Sequence, residues 1–349
     1  MTISTAKRAR SRWRSATITA VAAMLALSAC SGGDESAENG QGGGDWEPVT
    51  IDSALGTATI EEEPERIVTL GQGSTETAIA LGTTPVGMEE YTWGADETGY
   101  LPWIHEEVTE RGDELPELFN GLTELDIEAI LELEPDLILA PWSGVTQEQY
   151  DLLADIAPTV AYPEEPWTIE WDQQIEIIGE AMGQEDEAQG LIDDIHNQFD
   201  EARNEDYEDL TFSYIYNNGP GTLGVFYPDE QRVAMVSALG LTPDPVAEEL
   251  RDDYDAPGTQ SALIGLENAD KLSDSDLIFT FYMDEANREE TEAQDLYASI
   301  PAVENGAVVA SEDQAFVTAS SMINPLTVPY TLERYEPMID EAIANVEQN

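Results

Sequence analysis

Residues 66–82 read RIVTLGQGSTETAIALG, and this stretch limits the possible fold more than any other. The apolar run from Ile67 to Leu70 is too short for a helix and ends at glycine, the mark of a buried strand. Gly71 and Gly73 form a turn. Thr75 to Leu81 then carries a helical pattern that Gly82 stops, with Ser74 or Thr75 placed to cap it. Val86 to Met88 reads as a second strand. A strand, a tight turn, a helix and another strand make a unit whose strands run parallel. The rhythm continues with a helix from Leu125 to Leu133, halted before Pro135, and a buried strand, DLILA, from Asp136 to Ala140. QEQYDLLADIA is a further helix, and Thr159 to Ala161 a further strand. Upstream, Val49 to Ile60 reads as a hairpin turning near Leu55 and Gly56. Such alternation predicts a parallel sheet covered on both faces.

After an interruption the theme repeats. FSYIY at Phe212 to Tyr216 is a strand, followed by a Gly/Pro turn and TLGVFY. QRVAMVSALG is a helix ended by Gly240, ENADKL a short helix, DLIFTFY a strand, and Ala307 to Ala310 another. An acidic helix from about Leu332 to Val346 closes the chain. Between the halves, a helix from Trp171 to Met182 stops at Gly183, and QEDEAQGLIDDIHNQFDEAR comes next. Its apolar residues Ala188, Leu191, Ile192, Ile195, Phe199 and Ala202 recur at helical spacing. Glu185, Asp186 and Glu187 occupy the first turn, where the helix dipole favours acids. About twenty residues rising 1.5 Å each make a rod of roughly 30 Å. A rod of that length between two halves permits rocking rather than wide closure.

The first thirty residues serve another purpose. Lys7, Arg8, Arg10, Arg12 and Arg14 form a basic region, Ala16 to Leu27 is a short apolar stretch, and small residues lead to Cys30, the only cysteine. The apolar part is too short to span a bilayer stably. The segment resembles a bacterial lipoprotein signal in which Cys30 is lipidated; the rival reading is an ordinary secretory signal with an incidental cysteine. Acyl chains on Cys30 would tie the protein to the extracytoplasmic face of the cell membrane. Ser31 to Asp45, SGGDESAENGQGGGD, reads as a flexible tether.

The chain carries 13 basic and 73 acidic side chains, a net charge of −60. Five of the basic residues lie in the leader, so the rest of the chain holds eight against 73. A surface of this sign excludes nucleic acid as a partner. It suits a salt-rich habitat, where counter-ions screen self-repulsion within a few ångströms. His105 and His196 stand alone, so neither a metal centre nor a Ser-His-Asp arrangement is legible.

The Gly-x-Gly turn, with Glu89 and Glu90 about twenty residues on, imitates a dinucleotide fingerprint. The third position, however, is Glu76 and not glycine, which removes the close helix–strand packing that the fingerprint needs. Another likeness covers nearly everything from Trp46 onward. ERIVTLGQGSTETAIALGTTPVGM, LDIEAILELEPDLILA, YDLLADIAPTVAYP, IIGEAMGQEDEAQGLI and INPLTVPYTLERY resemble, in order and spacing, the helical-backbone substrate-binding proteins of ABC importers. The branch is that of the iron-siderophore binders, with relatives for cobalamin and haem.

The resemblance implies an α/β fold of two Rossmann-like lobes with parallel-rich sheets, joined by one long α-helix. It divides the chain into a signal (1–29), a tether (30–46), an N-terminal lobe (47–183), a connecting helix (184–204) and a C-terminal lobe (205–349). It implies a monomeric receptor, with no cofactor and no catalysis, that takes a ferric siderophore and delivers it to an ABC permease and its ATPase. A cobalamin or haem carrier is the first alternative and an exported α/β enzyme the second. In the family, one glutamate per lobe docks onto permease arginines; Glu128 and Glu267 match those positions, against the plainer reading of solvated first-turn acids.

Loops at the C-terminal ends of strands nominate ligand residues. Besides Ser74, these are Trp93 and Trp142 in the first half, then Tyr216, Tyr227, Arg232, Tyr282, Met322 and Asn324. Arg232 opens a helix, where a cation opposes the dipole; it either holds a ligand oxygen or bridges Asp229 and Glu230. The tryptophans either stack on ligand or pack half-exposed. With so few basic residues, an anionic ferric catecholate lacks a counter-charge, so a neutral or cationic hydroxamate complex is expected.

Overall fold

The computed structural model describes residues 46–121, 124–219, 221–256 and 259–346. The leader, Cys30 and the tether to Asp45 lie outside them. Among the described residues no helix is long and apolar enough to cross a membrane.

A small antiparallel hairpin comes first, β1 (Val49–Asp52) against β2 (Thr57–Ile60). Then come β3 (Ile67–Thr69), α1 (Ser74–Ala80), β4 (Gly87–Glu89), α2 (Pro102–Arg111), β5 (Glu117–Phe119), α3 (Ile127–Glu132), β6 (Leu137–Ala140), α4 (Gln147–Ala154) and β7 (Thr159–Ala161). The strands form one parallel sheet in the order β5-β4-β3-β6-β7. Its central strands are buried on both faces, which is why they read as unbroken apolar runs.

Two helices separate this sheet from the next. α5 (Trp171–Met182) ends at Gly183, whose φ of 64° is left-handed. α6 (Glu185–Ala202) turns back against it. The pair is close because a Cβ at Gly179 would collide with that of Ala188. The Trp46 indole lies on Gly183, which sets the first described residue at the junction of the two helices. Ala188, Ile192, Ile195 and Phe199 of α6 are buried in an apolar cluster that contains Leu137 and Val160 of the first sheet and Phe212 and Phe279 of the second. The rod is thus shared core.

The second half contains β8 (Thr211–Asn217), β9 (Thr222–Phe226), α7 (Gln231–Ala238), β10 (Thr242–Pro243), β11 (Asp255–Ala256), β12 (Ser261–Gly265), β13 (Leu277–Phe281) and β14 (Val308–Ser311). The order is β11-β12-β9-β8-β13-β14, with β10 beside β8. β8, β10, β13 and β14 run parallel, while β9, β11 and β12 are antiparallel to their neighbours, so this sheet is mixed. Too little chain separates β8 from β9 for a crossover, so β9 must return as a hairpin arm.

The halves match where the sequence repeats. Asp136 precedes β6 and accepts from the backbone N–H groups of Glu65 (2.9 Å) and Arg66 (2.8 Å), just before β3. Asp276 precedes β13 and accepts from Thr211 N–H (2.8 Å) at the start of β8. In each case the carboxylate ties off the neighbouring strand's free donor. A second contact joins the lobes: Trp103 of α2 packs at 5.2 Å on Tyr330 of the final helix, Thr327–Val346.

Candidate functional site

Two cavities of about 680 and 220 Å³ lie between the sheets and share Gln72, Arg232 and Ser321 in their walls. On one side the walls come from loops that follow β3, β4, β6 and β7, the C-terminal ends of a parallel sheet.

The turn after β3 is built for close approach. Gly71 has φ 73°, and a Cβ there would collide with the Trp142 carbonyl. Its N–H donates to Glu89 Oε2 at 2.9 Å. Ser74 and Thr75 do not cap α1, contrary to expectation. Gly73 (φ 79°) is the N-cap and makes no side-chain cap bond. Thr75 turns instead to Thr69 (2.7 Å) beneath the sheet. Ser74 is buried, its Oγ has no partner, and it lines neither cavity. Glu76 is buried as well and accepts from Trp103 Nε1 at 3.0 Å. Burial raises its pKa, and that of Glu89, above the ordinary carboxylate range.

Aromatic rings line the opening. Trp93 is 38% exposed, and its carbonyl accepts from Thr318 Oγ1 (3.3 Å) across the cleft. Trp142 meets Trp167 edge to face at 4.7 Å. Trp167 is 42% exposed and has φ 66°, a left-handed conformation that a bulky residue adopts only where its surroundings enforce it. The indole fills the space that a side chain at position 144 would need, so Gly144 makes room for it.

The opposite wall carries charge. Glu230 caps α7, and its carboxylate pairs with the Arg232 guanidinium. Burial opposes the charge on Arg232, yet Glu230 and Tyr214 outweigh it and the pKa is raised further. The guanidinium lies 4.8 Å from the Phe226 ring centroid. Arg251 sits 3.9 Å over the Tyr227 ring and pairs with Asp229 (2.7 Å) and Glu248 (3.1 Å). The Tyr227 hydroxyl donates to Asp255 (3.1 Å). Among the described residues no group of three or more His, Cys, Asp or Glu side chains is arranged to hold a metal ion.

Of the nominated residues, Trp93, Trp142, Tyr227 and Arg232 therefore share the cleft. The others lie elsewhere. Tyr216 packs flat over Gly224 and hydrogen-bonds Ser261 (3.0 Å). Tyr282 is buried against Tyr297 (3.1 Å), beside a separate cavity under the edge strand β14. Met322 is buried, and Asn324 caps the final helix by accepting from Leu326 N–H (3.0 Å) and Thr327 N–H (2.9 Å). Sequence reasoning missed Gln72, Tyr91, Trp167, Arg251 and Phe281. Gln72 sat in plain view inside the Gly-x-Gly turn, and Arg251 was one of only eight basic residues beyond the leader.

Glu128 and Glu267 are both exposed. Glu128 lies on α3, which feeds β6 beside β3; Glu267 lies on the 3₁₀ helix Leu266–Leu272, which feeds β13 beside β8. They hold matching places in the two topologies.

The family model described as "Periplasmic binding protein" matches residues 67–315. The chain is 28% identical over 319 residues to the "Probable siderophore-binding lipoprotein YfiY" of Bacillus subtilis, covering 86% of this chain and 90% of that one. It is 27% identical over 284 residues to the "Ferric enterobactin-binding periplasmic protein FepB" of Escherichia coli, covering 78% and 86%. Its structure resembles that of PiaA from Streptococcus pneumoniae in complex with ferrichrome, with a TM-score of 0.76, 29% identity, and 85% and 99% coverage. The match spans well over half the chain, and the protein belongs to the periplasmic binding protein family.

Proposed function

We propose that this chain is an extracytoplasmic receptor, lipid-anchored through Cys30, that binds a ferric siderophore and delivers it to an ABC permease. The observation that carries the reading is the cleft itself. It is an inter-lobe space rimmed by exposed indoles, with hydrogen-bonding groups on the facing wall. A pre-chelated iron complex needs an apolar cradle and a few directed donors, not metal ligands from the protein. Relatives named for siderophores support the substrate class.

Within that class, a hydroxamate complex fits the wall better than a catecholate. Both arginines at the cleft are already paired with carboxylates, so little uncompensated positive charge faces the ligand. Trp93, Trp142 and Arg232, joined by Trp167 and Arg251, are the contact residues of this proposal, while Tyr227, fully buried beneath Arg251, backs that wall. The lobes, 47–183 and 205–349, would grip the ligand about the connecting segment 184–204 as a monomer. Glu128 and Glu267 would dock on the permease through directional carboxylate–arginine pairs.

Titration of tryptophan emission tests the reading, because three indoles border the cleft. A ferrioxamine-type hydroxamate is expected to quench saturably at one equivalent. Tight quenching by a ferric catecholate with none by the hydroxamate would overturn the ligand class. Quenching by neither would overturn the receptor reading.

A further inference from the structure

Glutamate is not among the residues favoured at a helix N-cap, where Ser, Thr, Asp and Asn do the same work with shorter side chains. Yet Glu230 holds that position on α7 and is only 6% exposed. Both of its oxygens are committed. Oε2 accepts from the backbone N–H of Arg232 at 2.8 Å, and Oε1 from the Arg232 guanidinium. The guanidinium is held between Phe226 (4.8 Å) and Phe281 (5.8 Å) and borders both cavities. Its Nε is buried and has no partner. The wall thus presents a guanidinium whose positive charge is cancelled directly behind it.

The rest of this wall has the same plan. Arg251 is held by Asp229 and Glu248, and Asp255 takes the Tyr227 hydroxyl. Glu165 adds a further acid on the facing loop. Acids in the lining outnumber the two guanidinium groups, so a polyanion entering here meets repulsion with no free cation to offset it.

We propose that Glu230 sets the charge selectivity of the cleft, neutralising Arg232 in place so that uncharged or cationic ferric complexes are admitted and polyanionic ones are refused. This rests on the receptor reading above and adds the residue that decides the ligand's charge. Freed of Glu230, Arg232 would become a net cation in a partly desolvated wall, where a full charge on the ligand counts heavily.

The test uses the full chain and two probes of opposite charge character: ferrichrome, an uncharged hydroxamate complex, and ferric enterobactin, a trianionic catecholate. The quantity read is the ratio of their affinities. Glu230→Gln keeps an acceptor for the helix N–H, and Glu230→Ser supplies a favoured cap, so either folded variant can be read. The ratio of enterobactin to ferrichrome affinity is expected to rise at least tenfold in each, and to fall back when Arg232→Gln is added. A ratio unchanged within twofold in a folded variant overturns the inference, as does a gain that survives loss of Arg232. Wild-type protein that prefers ferric enterobactin overturns it regardless of the variants. Wild-type protein that takes neither complex overturns the receptor reading and this inference together.

Discussion

At the residue scale, the molecule buries acids where most proteins avoid them. Glu76 and Glu89 are each raised above the ordinary carboxylate range by burial. The folded chain therefore holds these protons more tightly than the unfolded chain does. Their contribution to stability is full below the unfolded value, near 4.3, and is lost as pH climbs through the raised folded values. The thermal midpoint is accordingly expected to fall as pH rises above that unfolded value. Glu76→Gln, which keeps an acceptor for Trp103, should flatten that slope; a midpoint that rises with pH would contradict the assignment. Trp93 belongs to the same scale. It is 38% exposed, so Trp93→Ala should leave the midpoint within a few degrees. Losing one stacking face, about 0.5–1.5 kcal/mol beyond area burial, should weaken binding up to roughly tenfold in an emission titration.

At the scale of elements, the strand–helix rhythm was legible where a parallel strand is a short apolar run, as in β3 and β6, whereas β5, with Glu117 in it, and the weakly patterned α2 before it gave no such signal and were not read. Trp171–Met182 and the long α6 were legible because amphipathic spacing is a strong signal over roughly three to five turns. The strand β12 was not. SALIG follows a Pro-Gly turn signal at 257–258, but its five residues are too short a run for periodicity to separate a strand from a buried helix segment, and its pairing with β9 is set by tertiary geometry. Cleft residues divide the same way. Trp93 and Trp142 come after strands whose ends are visible in the sequence, whereas Trp167 and Arg251 come from irregular segments that only the fold brings round. Tyr216 and Tyr282 were misplaced because a position at a strand end does not fix which way a ring turns. Gly71 is the element that couples one turn to the next. Gly71→Ala would set a Cβ against the Trp142 carbonyl at φ 73°, with no flexible side chain to yield. A loss of more than about 2 kcal/mol in urea unfolding is expected, since backbone strain and collision add; a loss below about 1 kcal/mol would show that the turn can move. The helices bearing Glu128 and Glu267 make a separate prediction. Glu128→Ala with Glu267→Ala should leave ligand affinity intact and stop uptake in iron-starved cells, and wild-type uptake by the double variant would place docking elsewhere.

At the scale of the whole molecule, two sheets of different make-up share one core through α6 and meet again at Trp103 and Tyr330. That double connection would oppose wide separation of the lobes. The net charge of −60 bears on solubility and on counter-ions more than on the fold. On the proposed function, the space between the lobes holds a pre-formed iron chelate, one per chain. Native mass spectrometry of the protein, recovered from iron-starved culture and then offered an excess of a ferric hydroxamate, tests it most directly. A single species heavier than the bare chain by one iron and one organic chelator is expected. A corrinoid or haem adduct, or a chain that stays bare in excess ligand, would contradict it.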